Sequence, residues 1–299
     1  MTPTVRFAHV GIQKTGSTWL QNGLFYDHPQ LQIMGEMPRG YPLADLNRLV
    51  QAMFAEDVDY GAWQADFERQ QVRFDAHRLL GMSNEQLSGH VWDTDGGIRT
   101  AERMKALCGD LQIILVLRHP VQWLQSAYQQ TIKVGMMAHR FDVFLTHPKY
   151  QADVLHRLQY QRLIEAYRAH FSRVLVLPFE LLRDDAQAFV DAITDFLAIA
   201  PYTPRPDTHR NPAVQPLLYG MMRHTNRVDL ALWPRRRYIS KAMRRLTHIL
   251  PPAESKPRRW TRADFAAYPA YDALFQAEHY RIWSGDWARY NYFQDESHA

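Results

Sequence analysis

The residues best equipped for chemistry lie near the start of the chain, in Val5-Arg6-Phe7-Ala8-His9-Val10-Gly11-Ile12-Gln13-Lys14-Thr15-Gly16-Ser17-Thr18-Trp19-Leu20. An apolar run, a short loop bounded by Gly11 and Gly16, and then the start of a helix is the grammar of a phosphate cradle. Glycine lets the backbone aim successive N–H groups inward, and a helix start adds partial positive charge at the same point. Ser17 and Thr18 contribute hydroxyl donors and Lys14 a full charge. Gly11 and Gly16 have the spacing of a Walker loop, but Ser17 stands where that loop has its lysine, and Lys14 sits inside the loop. The displaced lysine argues against an ordinary ATP or GTP hydrolase.

A second anion-binding segment follows in Gln112-Ile113-Ile114-Leu115-Val116-Leu117-Arg118-His119-Pro120-Val121. It reads as a buried strand ending at Arg118, with Pro120 suited to the first turn of a helix. Open parallel sheets bind ligands beyond the carboxyl ends of their strands, so Arg118 is expected in the same crevice as the first loop. Ser126 comes eight residues after Arg118, roughly two turns into that helix, and faces approximately the same way as the helix start. Arg118 and Ser126 together would grip a second phosphate.

These groups need a scaffold, and the rest of the sequence supplies the pattern of one. Short apolar runs at Val5–Ile12, Leu31–Met34, Leu79–Ser83, Leu111–Leu117 and Val174–Pro178 read as strands. Between and beside them Pro42–Ala55, Tyr60–His77, Ile98–Cys108, Pro120–Val134, Val154–Phe171 and Gln187–Leu197 carry helical periodicity. The alternation predicts a three-layer α/β fold, a central parallel sheet of about five strands flanked by helices. Five prolines between Pro201 and Pro216 break both periods. The chain therefore reads as a single domain over 1–299, with a nucleotide-binding core over 1–200 and a basic, helical part over 201–299. In that part Leu217–Arg227 and Tyr238–Leu250 look helical, and Phe265–Tyr292 is aromatic-rich without a strand signal.

Composition narrows the function classes. At 299 residues and 46% hydrophobic, the chain can bury a substantial core. No basic leader with an apolar stretch opens it and no run of eighteen apolar residues interrupts it, so a secreted or membrane-spanning protein is not expected. The single cysteine, Cys108, fits the cytoplasm and cannot form an intrachain disulfide or a thiolate metal site. Net charge is +4, yet Arg205–Arg262 alone holds fourteen Lys and Arg against three Asp and Glu. That stretch implies an anionic ligand, partner or acidic lipid surface. Two rival classes remain on composition and motif alone. One is a P-loop kinase, which would want the Walker lysine and a magnesium-binding aspartate. The other is a non-enzymatic polyanion binder using Arg235, Arg236, Arg237, Lys241, Arg244 and Arg245, which leaves the first loop unexplained.

Taken together, the two segments resemble the nucleotide-binding signatures of the sulfotransferase family, which uses 3′-phosphoadenosine 5′-phosphosulfate as donor. Gln13-Lys14-Thr15-Gly16-Ser17-Thr18-Trp19-Leu20 is similar to the family's 5′-phosphosulfate loop, with Gln13 in place of the usual proline. Arg118-His119-Pro120, followed by Ser126 and Tyr128, is similar to its 3′-phosphate segment. The resemblance implies a P-loop NTPase-like sulfotransferase fold, with Lys14 on the 5′-phosphosulfate, Thr15, Gly16, Ser17 and Thr18 on phosphate oxygens, and Arg118 with Ser126 on the 3′-phosphate. Trp19 would stack near the adenine or pack in the core. Gly285-Asp286-Trp287 is similar to a tripeptide near the C-terminus of cytosolic members, and His209, Arg210 and Asn211 are further candidates for that phosphate.

Sulfuryl transfer to a hydroxyl or amine also needs a general base opposite Lys14. Two carboxylates compete: Glu36 directly after the second predicted strand, where several glycan and protein-tyrosine sulfotransferases carry a catalytic glutamate, and Glu85 after the third, near where cytosolic members place a histidine. His28 and His90 are weaker candidates. The spacing of His, Cys, Asp and Glu suggests no metal site. A carbohydrate, a glycolipid or a small hydroxylated metabolite would serve as acceptor, nucleic acid is not an expected partner, and the oligomeric state is not legible.

Overall fold

The computed structural model describes residues 4–38, 40–89, 95–204, 216–232, 242, 260–282 and 290. Five strands, β1 (Val5–His9), β2 (Leu31–Gly35), β3 (Leu79–Ser83), β4 (Gln112–Leu117) and β5 (Arg173–Pro178), pair entirely in parallel in the order β2-β3-β1-β4-β5. The helices are α1 (Ser17–Asn22), α2 (Leu24–Asp27), α3 (Asn47–Gln51), α4 (Tyr60–Gln70), α5 (Gly96–Cys108), α6 (Pro120–Lys133) and α7 (Phe141–Thr146). They continue with α8 (Pro148–Arg157), α9 (Tyr160–His170), α10 (Phe179–Asp184), α11 (Ala186–Leu197), α12 (Pro216–Leu232) and α13 (Pro269–Ile282). The expected α/β class, the parallel sheet and all five strands are present.

Phe7, Ala8, Ile33, Met34 and Ile113 through Leu117 are fully buried, the unbroken apolar filling that a parallel sheet covered on both faces requires. Each such large side chain contributes about 1.5–3 kcal/mol relative to exposure. The strand order puts β1 and β4 side by side at the centre, while the connection from β1 runs to β2 on one side and that from β4 to β5 on the other. The carboxyl ends of β1 and β4 thus flank the topological switch point, the position from which open α/β sheets bind ligands.

Several boundaries differ from the sequence pattern for identifiable reasons. β1 ends at His9 instead of Ile12, yet Val10 N donates to Ile114 O at 2.8 Å and Ile12 N to Val116 O at 3.2 Å. The chain has left β3 while its ladder to β4 runs on. The segment Pro42–Ala55 keeps helical spacing in Leu46, Leu49, Val50 and Met53, but its backbone tightens into 3-10 turns on either side of α3. Val154–Phe171 is two helices, because Leu158 and Tyr160 are both buried and a continuous helix does not put residues two apart on one face. The helices α7 and α10 carried no recognised periodicity, being only six residues each. The predicted helix Tyr238–Leu250 lies outside the described residues except at position 242.

The described residues form two compact units. One comprises those within Met1–His119, His156–His209 and Ala277–Ala299 and holds the sheet. The other comprises those within Pro120–Leu155 and Arg210–Gln276. Its core is aromatic, with Phe144, Phe265, Tyr271 and Phe275 fully buried, and it is tied by Asn226, whose Nδ2 donates to Ile132 O at 2.9 Å and Met137 O at 2.8 Å. Among the described residues no helix is long and apolar enough to cross a membrane.

Candidate active site

The loop after β1 is held open by its own backbone. Lys14 has φ 70° and Gly16 φ 84°, both in the left-handed region that only glycine enters without cost. A β-carbon at Gly16 would also lie 2.7 Å from Leu182 Cδ2, so the position needs glycine on two counts. Thr15 Oγ1 donates to Ile12 O at 2.6 Å and closes the loop on itself. Among the described residues the backbone amides of Lys14 through Thr18 donate to no backbone carbonyl. Ser17 is buried, and its Oγ is without a partner among them. Five consecutive amides and an orphaned hydroxyl make a donor-rich concavity of the kind that anions fill.

A buried polar brace lies beneath the loop. His9, at the end of β1, places Nδ1 3.0 Å from Ser83 Oγ at the end of β3, and that oxygen accepts from Gln21 Nε2 of α1 at 3.1 Å. Burial pushes the His9 pKa down to about 3, so the imidazole is a neutral structural group.

Arg118 arrives from the end of β4. Its Nη1 donates to the carbonyl oxygen of Lys14 at 2.9 Å, and its guanidinium lies 4.7 Å from the ring centroid of Phe179. The two cationic residues singled out in the sequence, separated by 104 positions, are therefore direct neighbours. Tyr160 of α9 fixes the backbone here by donating to Arg118 O at 2.8 Å.

Both candidate carboxylates reach the same electrostatic neighbourhood. Gly35, at φ 127°, passes so close to β3 that a β-carbon would meet Ser83 O at 2.2 Å. Glu36 N then donates to Ser83 O at 3.0 Å, which leaves the exposed Glu36 side chain at the carboxyl end of β2. Glu85 begins a 3-10 turn, Glu85–Ser88, whose start is capped by Asn84 accepting from Gln86 N at 2.9 Å. Burial raises the Glu85 pKa and the neighbouring Glu36 charge raises it further, while Lys14 and Arg157 oppose the shift. Lys14 is shifted the opposite way: burial lowers its pKa, Glu85 raises it and Arg118 lowers it. Glu85 thus senses the charges of both Lys14 and Glu36, and Glu85 and Lys14 are both half-buried.

Gln13, marked in the sequence only as a departure from the family's proline, and three residues that sequence reasoning passed over hold this arrangement together. Gln13 Nε2 donates to Gly89 O at 3.1 Å and to Glu85 O at 3.5 Å, and its Oε1 accepts from Arg157 Nη2 at 2.9 Å. Arg157, buried at the end of α8, also donates to the carbonyl and hydroxyl of Ser88. The residue that departs from the family pattern therefore joins the Lys14 loop to the Glu85 turn. Its amide was the available signal, since a polar side chain in place of a proline demands partners. Below Arg118, Phe179 supplies the ring and the fully buried Glu180 accepts from His119 N at 3.3 Å. Burial pushes Glu180 up to about 7 against the opposing charges of Arg118 and Arg183.

The remaining candidates fall as follows. Thr18 is exposed and Trp19 half-buried on α1, so Trp19 is not a core residue. Ser126 lies half-buried on α6, within the second unit. His28 Nε2 donates to Ala200 O at 2.9 Å while Nδ1 accepts from Gln30 N at 3.2 Å, which occupies both nitrogens structurally. His90, His209, Arg210, Asn211, the arginines at 235–237, Lys241, Arg244, Arg245 and Gly285-Asp286-Trp287 lie outside the described residues. No group of three or more His, Cys, Asp or Glu among the described residues is arranged to hold a metal ion.

Comparison with known proteins gives a family. Residues 8–204, well over half of the chain, match the model described as Sulfotransferase family. No curated protein matches the chain significantly. Among solved structures, a sulfotransferase from Alicyclobacillus acidocaldarius is 19% identical, covering 82% of this chain and 96% of its own, at a TM-score of 0.49. A sulfotransferase domain from the curacin biosynthetic pathway is 16% identical, covering 70% of this chain and 81% of its own, at a TM-score of 0.41.

Proposed function

The chain belongs to the sulfotransferase family, and from that premise we propose that it transfers the sulfuryl group of 3′-phosphoadenosine 5′-phosphosulfate to a hydroxyl or amine of a carbohydrate, glycolipid or small metabolite in the cytoplasm. The observation that carries the reading is the contact between the Lys14 loop and Arg118 at 2.9 Å, which brings two cationic residues distant in sequence to the switch point of the sheet. The unpartnered Ser17 hydroxyl and the open amides of the loop fit a phosphate. Thr15, Gly16, Ser17 and Thr18 would hold the 5′ end, Arg118 the 3′-phosphate, and Trp19 the adenine face.

The donor supplies an activated sulfuryl group and, on its departure, a leaving phosphate. Such transfers have loose transition states in which charge builds on the leaving oxygen, so positioning and positive charge dominate. Lys14 and the loop amides neutralise that charge, and the Glu85 carboxylate opposite favours the protonated form of Lys14. Glu85 is the better placed base. Its half-buried position and raised pKa make it a stronger proton acceptor than an ordinary carboxylate, whereas Glu36 is exposed and acts on it by charge.

Calorimetry with 3′-phosphoadenosine 5′-phosphate, ADP and ATP tests the reading. The bisphosphate is expected to bind at least about tenfold more tightly than ADP or ATP, because a charged hydrogen bond contributes about 1.5–3 kcal/mol. Arg118→Gln removes that preference. Equal or tighter binding of ATP, or no binding of any of the three, overturns the proposal.

A further inference from the structure

The second unit contains a cavity of about 610 Å³, within the range that accepts small organic ligands. Its walls come from α6, α7, α12 and the residues Trp260 and Tyr268, and they are largely aromatic. Tyr128 and Phe141 lie 5.0 Å apart by ring centroid, and Trp260 meets Phe141 edge-on at 4.5 Å. Tyr268 lies 6.5 Å from Trp260, and Tyr219 faces the same space. A run of rings on this scale, unfilled by side chains of the lining itself, is a surface for a flat or hydrocarbon body.

Several polar groups of the lining are partnered. Tyr128 OH donates to His139 O at 2.8 Å and Tyr219 OH to Gln129 Oε1 at 3.4 Å. Arg140 pairs with Asp142 at 3.4 Å. Arg223 donates through Nη1 to Tyr128 OH at 3.4 Å, and its Nε and Nη2 have no acceptor among the described residues. With Arg140 and Asp142 cancelling, the lining carries one positive charge in excess, on the half-buried Arg223.

We propose that this cavity is a binding site for a small amphipathic monoanion, an aryl or alkyl body ending in one carboxylate, sulfate or sulfonate, whose apolar part lies against Tyr128, Phe141 and Trp260 and whose charge pairs with Arg223. The site is made wholly by the second unit and does not depend on the sulfuryl-transfer reading.

Anilinonaphthalenesulfonate and its uncharged analogue phenylnaphthylamine are matched probes, because they share one aromatic frame and differ by the anionic group. Fluorescence titration of the intact chain is expected to show saturable binding of both at one site, with the sulfonate tighter by about tenfold. Arg223→Gln, which keeps a donor to Tyr128, removes that preference and leaves phenylnaphthylamine within about twofold of its original affinity. Gln129→Trp fills the cavity from its half-exposed rim and abolishes both signals. Lys14→Ala changes neither, which separates the site from the anion-binding loop. Non-saturating binding, equal weakening of both dyes by Arg223→Gln, or loss of binding in Lys14→Ala overturns the proposal. The ratio of the two affinities in Arg223→Gln decides the matter even where Gln129→Trp fails to fold, since a general loss of structure does not select between the dyes.

Discussion

The two halves of the site are built on opposite plans. The half formed by β1 and β4 is cationic and made largely of backbone: Lys14 stands on a loop whose amides from Lys14 to Thr18 point to no carbonyl among the described residues, and Arg118 meets that loop from the end of β4. The half formed by β2 and β3 is anionic and made of side chains, with burial and the Glu36 charge both raising the cost of ionising Glu85. The difference teaches which half tolerates change. A cradle of amides depends on φ values at Lys14 and Gly16 that few sequences satisfy, whereas a carboxylate is reached by any turn that follows a strand.

The largest effect is expected at the cationic half. Lys14→Ala removes the only full charge of the loop itself, and loss of one preorganised donor to developing charge costs about 10² to 10³ in rate. Steady-state sulfuryl transfer should fall by about 10³, with no more than about a tenfold change in bisphosphate affinity, because the amides and Arg118 remain. An equal fall in binding and rate would make Lys14 an ordinary ligand of the ground state.

The anionic half breaks differently. Glu85→Gln should lower kcat/KM by about 10², the lower range for a general base, and should flatten the acid limb of the pH profile. The sign follows from the shift: a raised carboxyl pKa means that activity is lost as pH falls through that raised value. On the alkaline side the lowered pKa of Lys14 sets the limb instead, with activity lost as that amine deprotonates. A Glu85→Gln enzyme that keeps its acid limb while Glu36→Gln loses it would exchange the roles of the two carboxylates.

This contrast also marks what could be read from the sequence. The cationic half was legible because glycine spacing, the lysine and the strand-to-arginine step are local patterns, each fixed by backbone geometry over a few residues. The five strands were legible for the same reason, and β1 was overextended only because its ladder to β4 outlasts the one to β3. The bracing residues were not. Arg157 touches Gln13 across 144 positions and Ser88 across 69, and nothing local announces an arginine that must find buried carbonyls. The aromatic cavity shares that difficulty, since aromatic residues at helical spacing read equally well as core.

Gln13 lies on the boundary between the halves and sharpens the comparison with a smaller effect. Gln13→Pro restores the family's residue but removes the donors to Gly89 O and Glu85 O and leaves Arg157 Nη2 without that acceptor. Arg157 keeps its bonds to Ser88, and the loss of one hydrogen bond to a buried charged group costs about 1.5–3 kcal/mol, so the midpoint of denaturant unfolding should fall accordingly. Bisphosphate affinity should change by less than about threefold, because the amides of the cationic half stay where they are. A large loss of affinity with unchanged stability would show that Gln13 itself lies on the ligand.

The smallest effect concerns the support beneath Arg118. Glu180 is fully buried, and burial pushes its pKa from the ordinary 4.5 to about 7 while its carboxylate holds the amide of His119. A carboxyl group with a raised folded pKa favours the fold when protonated. Its contribution is therefore complete below about pH 4.5 and declines as pH rises through about 7, after which it is constant. Glu180→Gln keeps an acceptor for His119 N but cannot ionise. The difference in melting temperature between the parent and Glu180→Gln should thus widen in favour of the variant between about pH 4.5 and 7 and stay level above. The opposite slope, with the parent gaining on the variant as pH rises, would mean that Arg118 and Arg183 outweigh burial and that Glu180 is an ion-pair partner of the cationic half, part of the machinery that holds Arg118.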